Sequence, residues 1–281
     1  MVRLSTDDLS IGYGEELIVK NLNIQIPDRK VTAIIGSNGC GKSTLLKAMT
    51  RIIAHHSGSA LLDGKEISKE NTKILARKMA ILPQTPEAAA GLTVAELVSY
   101  GRFPYQKGMG RLTAKDLEVI EWACEVTGTS AYKYRPVDSL SGGQRQRVWI
   151  AMALAQETEI IFLDEPTTYL DMAHQLEVLE LLQMLNREQG RTIIMVLHDL
   201  NQAARFADYM IAMKSGKLVN AGTPEDIMTP GTLRDVFQID AVIGRDPNTY
   251  KPMCMTYNLI KGEKKHEEII RPAYARTGSA Y

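Results

Sequence analysis

The chain has 281 residues, of which 44% are hydrophobic, and its 33 Lys and Arg residues balance 33 Asp and Glu residues. At about 150 residues per domain, this length predicts roughly two domains, and the composition excludes a wholly disordered or fibrous chain. The zero net charge argues against a nucleic-acid-binding protein, because binding to duplex nucleic acid normally requires a basic excess.

Cysteine content and apolar runs limit the cellular setting. The three cysteines are too few and too scattered for a disulfide framework or a zinc site, which fits a reducing compartment. The longest apolar run, Val148 to Ala155, is far shorter than the ~20 residues of a membrane span. Residues 1–10 lack the basic and apolar segments of a signal peptide. We therefore expect a soluble, cytoplasmic chain that reaches a membrane only through partners.

The first third of the chain contains a strand, a glycine-rich turn and a helix in succession. Val31 to Ile35 is a short β-rich apolar run that predicts a buried strand. Gly36 to Gly41 follows it, and the apolar spacing from Lys42 to Ile53 predicts a helix. This order is the context that a phosphate-binding loop requires.

The rest of the chain predicts a helical insertion followed by alternating elements. The middle, residues 85–156, has helix candidates at 93–100, 114–126 and 142–155, separated by breaks rich in Gly, Pro and Tyr. The last third contains two predicted strands, Ile160 to Leu163 and Thr192 to Leu197. This alternation with helices favours a parallel sheet covered by helices. The predicted helices of this last third begin near Ala173, Asp199 and Thr223.

These elements predict a division of the chain into a core, an insertion and a tail. Residues 1–84 and 157–260 form the predicted α/β core, and residues 85–156 form the helical insertion. Residues 261–281 are charged, then small and polar, and predict a mobile tail.

Residues 36–43 match the phosphate-loop pattern G-x-x-x-x-G-K-S at all of its fixed positions. Glycines allow backbone N–H groups to approach phosphates, and the following helix presents its positive end to them. Lys42 would reach the β- and γ-phosphates, the Ser43 hydroxyl would bind Mg²⁺, and Thr44 would add a contact. The alternative is a glycine-rich turn before a helix. The candidate nucleotide-binding residues are Gly36, Ser37, Asn38, Gly39, Cys40, Gly41, Lys42, Ser43 and Thr44.

Cys40 lies inside this loop, and two interpretations of it are open. It is either a small filler residue or a low-pKa thiolate at a helix N-terminus. In the second case, oxidation of Cys40 would block nucleotide binding.

Two adjacent carboxylates follow the predicted strand that ends at Leu163. Asp164 suits a Mg²⁺ ligand, and Glu165 suits the orientation or deprotonation of an attacking water. Many strands end in acidic residues, so this pattern gains its weight from following a phosphate loop in the expected order.

Leu140 to Gln144, with the sequence Leu-Ser-Gly-Gly-Gln, is the most informative segment. Ser141 is a natural N-cap, and two glycines open the following helix, which makes a second anion-binding helix start. The pentapeptide resembles the signature of the nucleotide-binding subunit of ABC transporters. That resemblance implies a P-loop NTPase ABC cassette, an α/β fold with a RecA-like core, a mostly parallel sheet, an antiparallel β subdomain and a helical insertion.

The ABC resemblance also implies the ligands and the assembly. In the family, the signature of one copy closes on the ATP that the phosphate loop of another copy holds. The resemblance therefore implies ATP and Mg²⁺ as cofactors and a homodimer that forms with ATP. The implied signature contacts to ATP come from Ser141, Gly142, Gly143 and Gln144.

Four further positions match motifs of the family in the same order along the chain. Tyr13 would stack on adenine, and Gln84 would link the γ-phosphate and Mg²⁺ to the helical insertion. Asp171 lies in a loop that crosses the dimer interface, where Tyr169 stands in place of the usual small residue. His198 would hydrogen-bond the γ-phosphate. The resemblance thus implies as catalytic residues Lys42, Gln84, Glu165 and His198, and as metal ligands Ser43, Gln84 and Asp164.

Three softer segments resemble one importer branch of the family, the ATPases for ferric siderophores, haem and cobalamin. They are Gly101 to Tyr105, Thr167 to Gln175 and Leu197 to Ala204. Ferric siderophore is the commonest cargo in that branch and is therefore the expected one. The alternative for the first segment is that Phe103 and Tyr105 only pack the insertion.

The branch also implies partners and a location. It implies two integral-membrane permease subunits, an indirect link to a substrate-binding protein, no nucleic acid, and a peripheral position on the cytoplasmic face of a bacterial plasma membrane. The first alternative is the cassette of a cobalamin, haem or metal-ion importer. The second is a non-transport ABC ATPase in DNA repair or translation, which the short insertion and zero net charge disfavour.

Overall fold

The computed structural model of the chain describes residues 2–84, 90–106 and 111–260. The strands are β1 (Val2–Tyr13), β2 (Glu16–Leu22), β3 (Gln25–Pro27), β4 (Val31–Gly36), β5 (Ser57–Leu62), β6 (Lys65–Glu66), β7 (Met79–Leu82), β8 (Ile160–Asp164), β9 (Thr192–Val196), β10 (Tyr209–Lys214), β11 (Lys217–Gly222), β12 (Ile239–Arg245) and β13 (Pro252–Leu259). The α-helices are α1 (Lys42–Met49), α2 (Thr72–Leu75), α3 (Val94–Ser99), α4 (Ala114–Val126), α5 (Gly142–Ala155), α6 (Met172–Gln189), α7 (Leu200–Phe206), α8 (Pro224–Ile227) and α9 (Pro230–Phe237). Short 3-10 helices span Ile67–Lys69, Tyr100–Tyr105, Ser130–Tyr132 and Val137–Ser139.

A six-stranded sheet with the order β11-β10-β4-β9-β8-β7 forms the centre of the fold. Strands β10, β4, β9, β8 and β7 are parallel, and β11 pairs antiparallel with β10. Every residue of β4, β8 and β9 is buried, as expected for parallel strands covered on both faces. These three strands were predicted from the sequence, and each is confirmed to within one residue at both ends. Their parallel direction brings the loops that follow them to one edge of the sheet.

A second, antiparallel sheet has the order β2-β1-β5-β6, with β3 also paired to β1. Its buried side chains Leu4, Leu9 and Ile11 belong to one apolar cluster with Leu45 and Leu46 of α1. Side chains from one face of the central sheet join the same cluster. Helix α1, and with it the loop that precedes it, is therefore held between the two sheets.

The described residues within 94–155 are mostly helical, and the main helices begin with side-chain caps. Thr93, Thr113 and Ser141 each form a capping box with the residue three positions on, which satisfies N–H groups at the helix start. Helices α4 and α5 have the predicted bounds at both ends, and α3 is one residue shorter at each end than predicted. The predicted fold class is confirmed: α/β, with a mostly parallel sheet, an antiparallel sheet and a helical segment between strands of the core.

The helix predicted from Lys42 to Ile53 ends earlier than expected. Helix α1 stops at Met49, and Arg51 adopts a φ of 61°, a left-handed conformation that terminates helices. The prediction extended the helix to Ile53 because the apolar spacing continues that far. Ile52 is nevertheless 52% exposed, so this spacing does not correspond to a buried helix face.

Arg102 joins three parts of the helical segment although only 2% of its surface is exposed. Its guanidinium donates to Asp116 at 2.8 Å, to the Ala155 carbonyl at 2.8 Å and to Glu157 at 2.6 Å. The guanidinium carbon also lies 4.1 Å from the centre of the Tyr105 ring. Tyr105 thus packs the insertion, as one interpretation of this segment held, whereas Phe103 is 68% exposed and does not.

Replacing Arg102 by Ala should lower the free energy of unfolding by about 3–5 kcal/mol, because Asp116 would keep a buried charge without its partner. Denaturant-induced unfolding measures this loss. Arg234→Ala is the control, since Arg234 pairs with Asp240 and both side chains are more than half exposed. That variant should lose less than about 1 kcal/mol. Equal losses in the two variants would contradict a structural role for the buried arginine.

The C-terminal part of the described chain contains α8, α9 and the β12–β13 hairpin. The predicted helix start is confirmed, with Thr223 as N-cap and Pro224 in the first turn of α8. The hairpin is joined to α7 through the Asn201 side chain, which donates to the Cys254 carbonyl at 3.1 Å and accepts from its N–H at 2.8 Å. The predicted mobile tail, residues 261–281, lies outside the described residues. Across 2–84, 90–106 and 111–260, no helix has both the length and the hydrophobicity of a membrane span.

Candidate functional site

The loop from Gly36 to Gly41 connects β4 to α1 and leaves the helix start open. Gly41, the N-cap of α1, has a φ of 99° and provides no capping side chain. The first N–H groups of α1 can therefore donate to a ligand. A Cβ atom on Gly36 would lie 2.3 Å from the Met213 carbonyl oxygen, so this position requires glycine. The Lys42 ammonium group folds back over the loop and donates to the carbonyls of Gly36 at 3.0 Å and Ser37 at 3.1 Å.

Cys40 fills a small buried space beneath this loop. Only 2% of its surface is exposed. Burial raises the pKa of its thiol, against an opposing effect of the Lys42 charge. A raised pKa disfavours the thiolate, so the structure favours the filler interpretation of Cys40 over the reactive one.

Ser43 and Asp164 meet at the base of the cleft beside this loop. The Ser43 hydroxyl donates to Asp164 Oδ1 at 2.8 Å. Burial raises the pKa of Asp164, and the adjacent Glu165 charge adds to the effect, while the Ser43 hydrogen bond opposes it. A divalent cation would instead favour the charged carboxylate. A hydroxyl beside a buried carboxylate is a set of hard oxygen donors of the kind that Mg²⁺ prefers, so these residues fit that ion.

The Glu165 carboxylate contacts three side chains, two of which come from distant segments of the chain. Gln84 donates to Glu165 Oε2 at 2.6 Å, Thr168 donates to the same oxygen at 3.1 Å, and His198 Nε2 lies 2.5 Å from Oε1. Glu165 has a φ of 54°, an uncommon backbone conformation for a residue other than glycine. The side chains of Gln84, Glu165 and His198, which were selected from distant parts of the sequence, therefore converge at one point.

A cleft of about 530 Å³ opens above these groups. Tyr13, which is 53% exposed, stands in its wall and offers a ring face to a planar ligand. The cleft is large enough for a nucleotide and has a cation, open N–H groups and a carboxylate along its floor. Its lining comprises Tyr13, Ile18, Asn38, Gly39, Gly41, Lys42, Ser43, Thr44, Gln84, Glu165 and His198.

The segment from Ser141 to Gln144 lies at the start of α5, and none of its residues is among those that line the cleft. Ser141 caps α5, with its hydroxyl accepting from the Gln144 N–H at 3.3 Å. A Cβ on Gly143 would lie 2.7 Å from the His174 ring, so glycine is required for the close contact between α5 and α6. His174 in turn lies 2.8 Å from Asp171, and hydrogen bonds from His174 lower the pKa of that carboxyl.

Large side chains face outward in the loop before α6 and at the first residue of that helix. Tyr169 is 87% exposed and Met172 is 81% exposed, on either side of Asp171. Tyr169 also has a φ of 64°. This loop and the Ser141 helix start therefore form an outward-facing surface that the described residues of one copy leave uncovered.

Sequence reasoning missed two residues of the site. Thr168, which donates to Glu165, lies in a segment that the sequence marks only as branch-specific. Its position three residues after Glu165 is a signal for a local hydrogen bond. Ile18 lines the cleft from β2, and no pattern in the sequence distinguishes it from other strand residues.

Comparisons with known proteins agree with this geometry. The family profile described as ABC transporter matches residues 19–168. The iron(3+)-hydroxamate import ATP-binding protein FhuC of Bacillus subtilis is 63% identical over 265 residues, which are 94% of this chain and 98% of that protein. The ferric enterobactin transport ATP-binding protein FepC of Escherichia coli is 45% identical over 255 residues, which are 91% of this chain and 94% of that protein.

Solved structures give the same result. An inward-facing metal-chelate type ABC transporter matches with a TM-score of 0.78 and 26% identity, over 92% of this chain and 98% of that chain. A dimeric bacterial ABC transporter cassette matches with a TM-score of 0.70 and 29% identity, over 78% of this chain and 98% of that chain. The profile match and the identity to FhuC, taken with the phosphate loop and the converging Gln84, Glu165 and His198, show that this chain belongs to the ABC transporter family as an ATP-binding cassette.

Proposed function

We propose that this chain is the ATPase that energises import of ferric siderophores by an ABC transporter of a bacterial plasma membrane. The observation that carries the proposal is the 63% identity to an iron(3+)-hydroxamate import ATP-binding protein over nearly the whole length of both chains. Resemblance to a ferric enterobactin transport protein supports the same cargo class. The chain would act peripherally on the cytoplasmic face, bound to two permease subunits and linked through them to a substrate-binding protein.

In this proposal, the cleft binds ATP through backbone and side-chain groups of one copy. Tyr13 stacks on adenine, open N–H groups of the loop and of the first turn of α1 bind the phosphates, and Lys42 releases its two loop carbonyls to reach the β- and γ-phosphates. Mg²⁺ would be held by Ser43, Gln84 and Asp164, and when bound it neutralises charge that develops on the phosphates. The Ser43–Asp164 hydrogen bond supports that assignment, because it places the two oxygens side by side.

Hydrolysis depends on Glu165 and the groups around it. Glu165 orients the attacking water and accepts its proton, and His198 donates a hydrogen bond to the γ-phosphate. The Gln84 amide, 2.6 Å from Glu165, connects this carboxylate to the segment that leads into the helical insertion. We assign residues 1–84 and 157–260 to the ATP-binding core and residues 85–156 to the insertion that contacts the permeases.

The second half of each ATP site comes from another copy of the chain. Ser141, Gly142, Gly143 and Gln144 form an open helix start outside the cleft, and Asp171 lies in the exposed loop beside it. We propose that they close on ATP bound to a partner, which makes the active form an ATP-dependent homodimer. The match to a dimeric cassette structure supports this arrangement.

His198→Ala should lower kcat for ATP hydrolysis by about 10²-fold or more, while the Kd for ATP changes only a few-fold. The reason is that His198 is 2.5 Å from Glu165 and acts where the γ-phosphate is attacked, whereas the rest of the cleft holds the nucleotide. Steady-state hydrolysis and equilibrium titration with ATP measure the two quantities. His55→Ala, outside the cleft lining, is the control and should retain the parental kcat. A large loss of ATP affinity in His198→Ala would contradict this role.

Uptake of labelled cargo tests the proposed function directly. The source strain lacking this gene would be complemented with the parental chain or with Glu165→Gln as an inactive control. Ferric hydroxamate and ferric catecholate siderophores would be compared with cobalamin, haem and metal ions. Restoration of siderophore uptake by the parental chain alone supports the proposal. Restoration of cobalamin or haem uptake instead would assign the alternative importer class, and stimulation of ATP hydrolysis by DNA or ribosomes would indicate a non-transport ATPase.

A further inference from the structure

Two side chains that the proposed chemistry does not use, Gln175 and Gln202, meet in the structure. Gln175 is on the first turns of α6, and Gln202 is on α7, directly after His198 and Asp199 in the chain. The Gln202 side-chain amide donates to Gln175 Oε1 at 2.6 Å. Both side chains are half-buried, and neither belongs to the described lining of the ATP cleft.

Gln175 also forms hydrogen bonds with the loop before α6. Its amide nitrogen donates to the carbonyl of Leu170 at 3.0 Å and to that of Thr167 at 3.3 Å. The Gln175 side chain therefore uses one acceptor and two donors at once. Glutamine meets this requirement, whereas a glutamate of the same size has no amide donor to give to the two carbonyls.

The same loop is attached to Glu165 at its other end. Thr168 donates to the Glu165 carboxylate at 3.1 Å, and Glu165 lies 2.5 Å from His198. The contacts thus form a closed circuit from Glu165 through the loop, Gln175 and Gln202 to α7, and back through His198 to Glu165.

Hydrogen bonds hold the start of helix α7, so we expect a displacement of Gln202 to displace His198 as well. Asp199 caps the helix by accepting from the Gln202 N–H at 2.9 Å. Asn201 holds the next position to β13 through its two hydrogen bonds with Cys254. A single capped turn therefore separates Gln202 from His198. A shift of one of these residues is expected to shift the other.

We propose that Gln175 and Gln202 are positioning residues that make the placement of His198 against Glu165 depend on the loop from Thr167 to Asp171. That loop presents Tyr169 outward, and the inference rests on the proposed dimer, in which it faces the second copy. Contact with the partner then determines the conformation of this loop. The hydrogen bond between the two amides makes the placement of His198 and Glu165 in the same copy depend on that conformation. Each ATP site would thereby respond to closure of the dimer.

The first test is a double-mutant cycle on ATP hydrolysis by the purified full-length chain. We expect Gln175→Ala and Gln202→Ala each to lower kcat about tenfold with the KM for ATP within about twofold, because a displaced His198 affects reaction more than nucleotide binding. The double variant should lose no more than the more severe single variant, since both changes break one chain of contacts. Gln183→Ala, on the same helix but without a side-chain hydrogen bond among the described residues, should retain the parental kcat.

A second pair of variants preserves side-chain size and separates positioning from folding. Gln202→Glu removes the donor to Gln175, and Gln175→Glu keeps the acceptor but cannot donate to the loop carbonyls. Both should lower kcat as the alanine variants do while their Tm stays close to that of the parent. Parental kcat in either glutamate variant would overturn the inference, even if an alanine variant failed to fold.

The last test connects the pair to the outward-facing loop. Tyr169→Ala should lower kcat in the parental chain and have no further effect in the chain that carries both alanine substitutions. Losses that multiply in either cycle, or parental kcat in Tyr169→Ala, would overturn the inference. A chain that hydrolyses ATP as expected but restores no siderophore uptake would refute the proposed cargo and leave these results unaffected.

Discussion

Glu165→Gln is expected to bind ATP normally, to lose about 10²- to 10⁴-fold in kcat, and to accumulate as an ATP-bound dimer. Glutamine has nearly the size of glutamate and still offers an oxygen to the donors from Gln84 and Thr168. It cannot accept a proton from the attacking water, so the chemical step fails while the cleft keeps its shape. The measurements are steady-state hydrolysis, equilibrium titration with ATP, and gel filtration with and without ATP.

The dimer should accumulate because ATP can favour the closed state only through its higher affinity for that state. In the proposed cycle of the parental chain, hydrolysis would remove this free energy and the copies would separate. In the variant the nucleotide persists, and the neutral side chain also removes a negative charge that would face the γ-phosphate.

A control and two contrary outcomes define this prediction. Glu180→Gln changes an exposed carboxylate on α6 and should leave hydrolysis and assembly as in the parent. A Glu165→Gln chain that hydrolyses ATP at the parental rate would assign the proton acceptor to another group. A chain that loses ATP affinity would mean that Glu165 helps to hold the nucleotide.

The sequence predicts the parts of this molecule whose signals are local. Strands β4, β8 and β9 are continuous apolar runs, and α4 and α5 begin with capping residues, so each could be identified without its neighbours. The site residues follow from strand ends: once β4, β8 and β9 are parallel, the loops at Gly36, Asp164 and His198 must meet at one edge of the sheet. Gln84 and Tyr13 were selected only through the family resemblance, because a single Gln or Tyr has no local signal.

What the sequence did not predict depends on contacts between distant segments. The pairing of β1 with β2, β3 and β5 is set by register across the antiparallel sheet, and the β12–β13 hairpin is anchored by one asparagine on α7. The Gln175–Gln202 hydrogen bond joins two segments that resembled the same importer branch, but nothing in either segment indicated that they touch. Likewise, nothing in the sequence indicates that Arg102 is buried, because its three acceptors come from other parts of the chain.

Lys42→Ala is expected to weaken ATP binding by about 30-fold or more, which corresponds to the about 2–5 kcal/mol that loss of one partner of a buried charge pair costs. Only 5% of Lys42 is exposed, and its ammonium group is held by two loop carbonyls, so it is already oriented toward the space where phosphates would lie. Removing it leaves phosphate charge with N–H donors alone. Isothermal titration with ATP in the presence of Mg²⁺ measures the loss.

Two further variants separate loss of charge from loss of the loop's shape. Lys42→Met keeps most of the buried aliphatic stem and should weaken ATP binding as the alanine variant does, with a Tm close to that of the parent. Lys115→Ala removes an exposed lysine on α4 and should bind ATP as the parent does. Parental affinity in Lys42→Met would show that the loop binds phosphate through its backbone alone, and the ammonium group would then act in hydrolysis rather than in binding. Since Lys42 must exchange two carbonyl acceptors for phosphate oxygens, its contribution to affinity is the difference between those two sets of bonds, and this pair of variants measures that difference.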